Sequence, residues 1–233
     1  QALDFAKTVG LVLSHLEERA DGRTPLLAAA GLGRVADVEV LLLAGANVMA
    51  RSKSGSTALI LASASDGNGH FATAECLIRH GGDELIRATN ENGETALIMA
   101  SMSGSFQIVK LLIEKGGNEQ IRAASKKGST ALMFASAFGH RSVVEYLLNR
   151  VGWDVDERRQ HILMEREDGR NAYKLASLRH HDGIVSFFNE FVGDSASDEP
   201  MSKSLDGVGA MSANPPPLPK RPPPPLSPDH SAP

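Results

Sequence analysis

Five short stretches carry residue types that could do chemistry. Asp66-Gly67-Asn68-Gly69 is glycine-rich, as a phosphate-cradling loop would be. His180 and His181 are adjacent, and a metal site would need them with carboxylates or a thiol. Cys76, the only cysteine, is the one candidate thiol nucleophile. Glu165, Glu167 and Asp168 lie among Arg158, Arg159 and Arg166, where paired carboxylates would be sought for acid–base work. Pro216-x-x-Pro219-x-Arg221 puts two prolines on one face of a left-handed polyproline helix, which has three residues per turn.

Each of the first four loses its chemistry when its surroundings are read. A phosphate loop needs a strand before it and a Lys-Ser/Thr after it, and neither flanks residues 66–69. Adjacent histidines point apart on a helix, and no ligand motif surrounds this pair, so a solvated helix start is expected. Cys76 aligns with Val40, Leu111, Tyr146 and Phe187 on the apolar face of repeated helices, which reads as a small core residue. The mixed-charge run from Arg158 to Asp168 reads as a solvated loop. No catalytic constellation emerges, and no cofactor or metal is expected.

The glycine-rich stretch belongs to a repeat. "GRTPLLAAAGLGRVADVEVLLLAGA" from Gly22 recurs as "GSTALILASASDGNGHFATAECLIRHGG" from Gly55 and "GETALIMASMSGSFQIVKLLIEKGG" from Gly93. It returns as "GSTALMFASAFGHRSVVEYLLNRVG" from Gly128 and "GRNAYKLASLRHHDGIVSFFNEF" from Gly169. Thr24, Thr57, Thr95 and Thr130 share one register with Asn171, at spacings of 33, 38, 35 and 41 residues. Threonine before an apolar run is a helix N-cap. Pro25 is tolerated at the first helical position because its missing N–H would lack a partner anyway. Small residues such as those of Leu61-Ala62-Ser63-Ala64-Ser65 let neighbouring helices approach closely. Gly33, Gly69, Gly104 and Gly139 are expected as left-handed caps of this first helix. A second helix follows with i, i+3, i+4 apolar spacing: Val38, Leu41, Leu42; Val109, Leu112, Ile113; Val144, Leu147, Leu148. Gly45, Gly81, Gly116 and Gly152 are expected to end it.

This pattern, Gly-x-Thr-Pro-Leu-x-x-Ala-Ala-x-x-Gly-His then an apolar helix and Gly-Ala, resembles the ankyrin repeat over residues 21–192. The resemblance implies an all-α solenoid of helix-turn-helix units with hairpin loops, about five repeats. Its function would be to bind protein rather than to catalyse. The family's histidine after Thr-Pro-Leu is replaced by Leu27, Ile60, Ile98, Met133 and Lys174, so the bond it makes is lost. Residues 1–20, with "FAKTVGLVLSHLEERA", resemble the outer helix of a degenerate capping unit. The "DGNG" stretch becomes a three-residue extension of an inter-helix turn. The hairpins after Gly81 and Gly116 are two residues longer than that after Gly45. The segment after Gly152 is longer by about seven, and a protruding finger is expected there.

In such an array the concave face of hairpin tips and first helices is the expected binding surface. Its candidates are the tip residues Lys53, Asn90, Glu91, Lys126 and Lys127 with Met102 and Phe138 on the first helices. Met102 and Phe138 make either an exposed apolar anchor beside Lys126 and Lys127 or, for Phe138, a ring folded onto the neighbouring helix.

Composition narrows the class. With 42% hydrophobic residues the chain has material for a core, while a net charge of −4 and no basic stripe argue against a nucleic-acid partner. No apolar run is long enough for a membrane span. One cysteine and no glycosylation sequon fit a cytoplasmic or nuclear setting. The chain opens at Gln1 without a methionine, as a piece of a longer protein would. Eleven of the twelve prolines lie at or beyond Pro200, so residues 193–233 read as a disordered proline-rich tail. Within it Pro216, Pro219 and Arg221 resemble a ligand of a Src-homology 3 domain, and the overlapping Pro216–Pro219 that of a WW domain. Ser227-Pro228 fits a proline-directed phosphorylation site. The combined expectation is a non-enzymatic adaptor or scaffold with two docking elements. The rival is a regulatory segment of a larger enzyme, a kinase or ubiquitin ligase, which a longer reading frame would reveal.

Overall fold

The computed structural model describes residues 23–150 and 152–193. By contacts the chain divides into Gln1–Ala196 and Ser197–Pro233, and the second unit lies wholly outside the described residues. Residues 1–20, expected as a capping helix, and the tail from residue 194, with Pro216, Pro219, Arg221 and Ser227, also lie outside them.

Eleven α-helices are formed among the described residues. Five pairs build the repeats: α1 (Pro25–Gly31) and α2 (Val35–Leu43); α3 (Ala58–Ser63) and α4 (Asn68–Arg87); α5 (Ala96–Ser103) and α6 (Phe106–Gly116); α7 (Ala131–Ala137) and α8 (Arg141–Arg150); α10 (Ala172–Leu178) and α11 (Asp182–Val192). Helix α9 (Val155–Leu163) stands between the last two pairs. The first helices stack in one row, α1, α3, α5, α7, α10, and the second helices in a parallel row, α2, α4, α6, α8, α11. The core lies between the rows, and Leu59, Leu77, Leu97, Leu112 and Phe188 are wholly enclosed there.

Every first helix starts at the expected cap. Thr24, Thr57, Thr95 and Thr130 each accept from the backbone N–H three residues on, at 3.3–3.4 Å. Asn171 does the same for Lys174 at 2.8 Å. Each cap contributes about 1 kcal/mol. The hairpins carry only isolated bridges, Thr89 with Thr95 and Ala124 with Thr130, and their tips join across units. Glu91 N–H donates to the Ser54 carbonyl at 2.9 Å, Lys126 to Asn92 at 2.8 Å and Glu167 to Lys127 at 3.2 Å. Arg51 strengthens the first junction by donating to the Gly55 and Thr89 carbonyls.

Several expectations are corrected. Gly33, Gly104 and Gly139 do take positive φ after their helices, but Gly69 lies inside α4. It is small for another reason: a β-carbon there would lie 2.5 Å from the Gly33 carbonyl oxygen of the preceding unit. Asp66 and Gly67 form the exposed turn instead, and Asn68 opens α4. Gly81 and Gly116 are not the left-handed residues of the second helices: Gly82 (φ +56°) breaks α4 within its Asn68–Arg87 span, and Gly117 (φ +81°) follows α6. A β-carbon on Gly81 would press 2.6 Å from a Leu85 methyl, and one on Gly116 2.6 Å from an Ile86 methyl. So the first glycine of each pair allows close packing and the second makes the turn. The longer hairpins fold their additional residues into helical turns that bury Leu85, Ile86 and Ile121.

The largest departure follows Gly152. No finger protrudes: the segment forms α9, which packs against α11 and α10. Asp154 and Glu157 form a reciprocal capping box that starts it. Trp153 and Ile162 bury their side chains, and that apolar content is why the segment stays on the body.

Candidate functional site

Helical spacing sets which side of the first helices is open. Counting from the capping residue, positions four, seven and eight share the side facing away from the second helices. In α3, α5 and α7 these are Leu61, Ala64 and Ser65; Met99, Met102 and Ser103; Ala137 and Phe138 with Phe134. Leu61, Met99, Met102, Phe134 and Phe138 are all partly exposed, whereas the remaining large side chains of these helices are buried. They line one apolar floor along the stack, with the tips as its rim. On that rim Lys53, Glu91, Lys126 and Lys127 are exposed, and none of the four makes an ion pair among the described residues.

Each candidate residue now has a place. Met102 and Phe138 are neither core nor bare. The Phe138 ring lies under the Arg179 guanidinium, 5.8 Å from its centroid, and stacks at 9° to His140. It therefore stands on the open face, steadied by the next unit. Asn90 is consumed by its own turn. Its Oδ1 accepts from the Asn92 and Glu94 N–H groups at 2.9 Å, and its Nδ2 donates to Glu94 at 2.8 Å. That leaves it a builder of the tip rather than a contact for a ligand.

Leu61, Met99 and Phe134 were not among the sequence candidates. The signal for them was position: the fourth residue after each cap is large in these three units. A second missed feature is how the units are fastened. The histidine after the cap is absent, but the first turn of the second helix compensates. His70 Nε2 donates to the Gly31 carbonyl at 3.3 Å, His140 to Met102 at 3.0 Å, and His181 to Ala137 at 3.1 Å. In the third unit Ser105 takes this place and donates to Ser65 at 2.9 Å, while Ser103 donates to Ser63 at 3.0 Å. His181 is thus a fastener rather than a solvated helix start, and His180 sits beside it with φ +56°.

The remaining polar clusters have structural partners. Cys76 is 1% exposed and burial pushes its thiol pKa up, the opposite of what a nucleophile needs. The mixed-charge run is no loose loop. Arg166 Nε donates to Asp168 at 2.7 Å and holds its carboxyl below the usual carboxylate range. Lys174 Nζ donates to Glu165 at 2.8 Å. Trp153 and His161 meet edge to face at 4.3 Å under α9. Burial, with the Arg122 charge nearby, lowers the His161 pKa to about 4. No group of three or more His, Cys, Asp or Glu that could hold a metal is formed among the described residues. No helix among them is long and apolar enough to cross a membrane.

Stacked helix pairs and tips joined from unit to unit define a helical repeat solenoid. The family models agree: "Ankyrin repeats (3 copies)" matches residues 64–159 and "Ankyrin repeat" matches residues 21–53. The chain belongs to the ankyrin repeat family, whose repeats generally mediate protein–protein interaction and are generally non-catalytic. No curated protein matches the sequence. The fifth pair, α10 and α11, lies beyond both matches and joins the stack on its own geometry.

Proposed function

We propose that this protein is a non-enzymatic adaptor. Its open face holds one protein, and residues 216–221 offer a polyproline ligand to a second one carrying a Src-homology 3 or WW domain. The observation that carries the first half is the apolar floor of Leu61, Met99, Met102, Phe134 and Phe138, with exposed Lys53, Lys126 and Lys127, which make no ion pair among the described residues, on its rim. Partly exposed aromatic and methionine side chains rimmed by charge are the usual make-up of a protein interface. The second half rests on the sequence of the tail, where Pro216, Pro219 and Arg221 have the spacing of a polyproline ridge with an orienting cation. Linking two modest affinities in one chain raises the effective concentration of the second partner at the first. The compartment we assign is the cytoplasm or nucleus.

The test is affinity capture with the full chain and two variants. Phe138→Ala with Lys126→Glu should remove one set of captured proteins. Pro219→Ala with Arg221→Ala should remove a different set, enriched in domains that bind polyproline. An unchanged captured set in both variants would overturn the adaptor reading.

A further inference from the structure

The open face changes character along the stack. At the seventh and eighth positions after the cap the second unit offers only Ala64 and Ser65, whereas the later units offer Met102, Phe138 and Leu178, the last 45% exposed. This bulkier half is one continuous strip. His140 links two units of it: its Nε2 donates to the Met102 carbonyl at 3.0 Å, and its ring stacks on Phe138. Arg179 of the fifth unit closes the strip, with its guanidinium 5.8 Å from the Phe138 ring centroid.

Cations stand at both ends of α7 in this strip. Lys126 and Lys127 lie on the tip that leads into α7, and the Lys126 stem lies over Gly93 of the preceding tip. Arg179 stands at the far end, beside Phe138. All three are exposed, and none makes an ion pair among the described residues. The carboxylates nearby leave both ends positive. Asp168 is held by Arg166 and Arg170, and Glu165 by Lys174. Glu91 lies one junction away, over Gly55. Glu167 follows Lys127 across the junction, one carboxylate against two ammonium groups, and Asp182 is near Arg179 in sequence without pairing with it. From the Thr130 cap to Phe138 the helix rises about 12 Å, and partly exposed Phe134 lies between the two ends.

Given the reading that this face binds protein, we infer that its partner presents an extended acidic segment of the pattern acid, any residue, large apolar residue, any residue, acid. Alternate side chains of an extended chain point the same way, so residues i, i+2 and i+4 meet one surface. The first and last of these are about 13 Å apart, which matches the rise of α7 between its cationic ends. One carboxylate then meets Lys126 and Lys127, the other meets Arg179, and the apolar side chain between them rests on Phe134 and Phe138. Opposite charge at both ends fixes the register of the segment. It also rejects a basic segment, which would set like charges together at each end. The apolar centre supplies the anchoring contact that exposed ion pairs alone do not.

Fluorescence anisotropy of labelled peptides with the full chain tests this. One peptide carries Glu-Ser-Leu-Ser-Glu, a second Lys-Ser-Leu-Ser-Lys and a third Glu-Ser-Ser-Ser-Glu, each between glycine-serine flanks. The first should bind at least about tenfold more tightly than either of the others at low salt. Its lead over the second should shrink as salt rises from about 0.02 M to about 0.5 M. In the variant carrying Lys126→Glu, Lys127→Glu and Arg179→Glu the order of the first two should reverse. The comparison on the parent chain needs no variant, so it decides even where the triple substitution destabilises the fold. Equal binding of the first two peptides, no binding of the first at about 1 mM, or an unchanged order in the folded variant would overturn the inference. The adaptor reading is judged separately: proteins captured by the parent and lost with Phe138→Ala would uphold it even if the acidic peptide had no advantage.

Discussion

His161 gives the sharpest physical prediction. Its ring is 5% exposed and packs against Trp153, and its Nε2 has no hydrogen-bond partner. Burial and Arg122 hold its pKa at about 4, below the ordinary value of 6.5. Between these two values the unfolded chain takes up a proton that the native site refuses, so stability falls as pH drops through that window. At about 1.4 kcal/mol per unit, the whole difference is about 3 kcal/mol, of which about 2 kcal/mol is lost by about pH 5. Asp168 has a depressed pKa, so its stabilisation is lost only at lower pH, as the solution becomes acid enough to protonate carboxylates. The assay is urea unfolding from about pH 7.5 to about pH 5, followed by fluorescence of Trp153, the only tryptophan and one that touches His161. The parent should lose about 2 kcal/mol across this range, and His161→Phe or His161→Gln should flatten the loss. Comparing slopes removes any constant destabilisation that the substitutions cause. Equal slopes in parent and variants would show that His161 does not titrate differently on folding, and the reasoning would fail.

Further expectations concern the repeat machinery. Gly69→Ala should destabilise by about 1–3 kcal/mol through the clash with the Gly33 carbonyl, although Gly→Ala inside a helix ordinarily stabilises by about 1 kcal/mol. A rise in melting temperature would refute the close approach. His140→Ala should cost about 1–2 kcal/mol by leaving the Met102 carbonyl without its donor, measured by urea unfolding. Thr95→Ala should cost about 1 kcal/mol through loss of the N-cap, and Thr95→Ser should restore most of it. Phe138→Ala should weaken partner binding and lower the melting temperature only modestly, because the ring is partly exposed, meets Arg179 and borders the core without being enclosed in it. A loss above about 3 kcal/mol, the size expected for a buried Phe, would place it in the core instead.

The repeat, its period and its capping residues were legible in the sequence because each depends on local rules. A threonine oxygen three residues from an orphan N–H makes a cap wherever it occurs, and i, i+3, i+4 spacing makes an apolar face. The open face was half legible. Met102 and Phe138 are on it, but Asn90 is not available, because a side chain that satisfies its own turn looks the same in sequence as one that is free. Leu61, Met99 and Phe134 were not picked out as candidates, because which apolar residues stay partly open depends on how the neighbouring units stack. The glycine-rich stretch shows the division most clearly. Its sequence settled that it was no phosphate loop, since the flanking residues that such a loop needs are missing. Why Gly69 must be small was decided elsewhere, by the carbonyl of Gly33 in the preceding unit. The same holds for α9, where a loop-like length and many charges concealed a helix held by Trp153 and Ile162. By itself the sequence determined the unit and its ends, because these are local. Which side chains stay available for a partner was decided only by the tertiary structure, because exposure depends on what the neighbouring units cover.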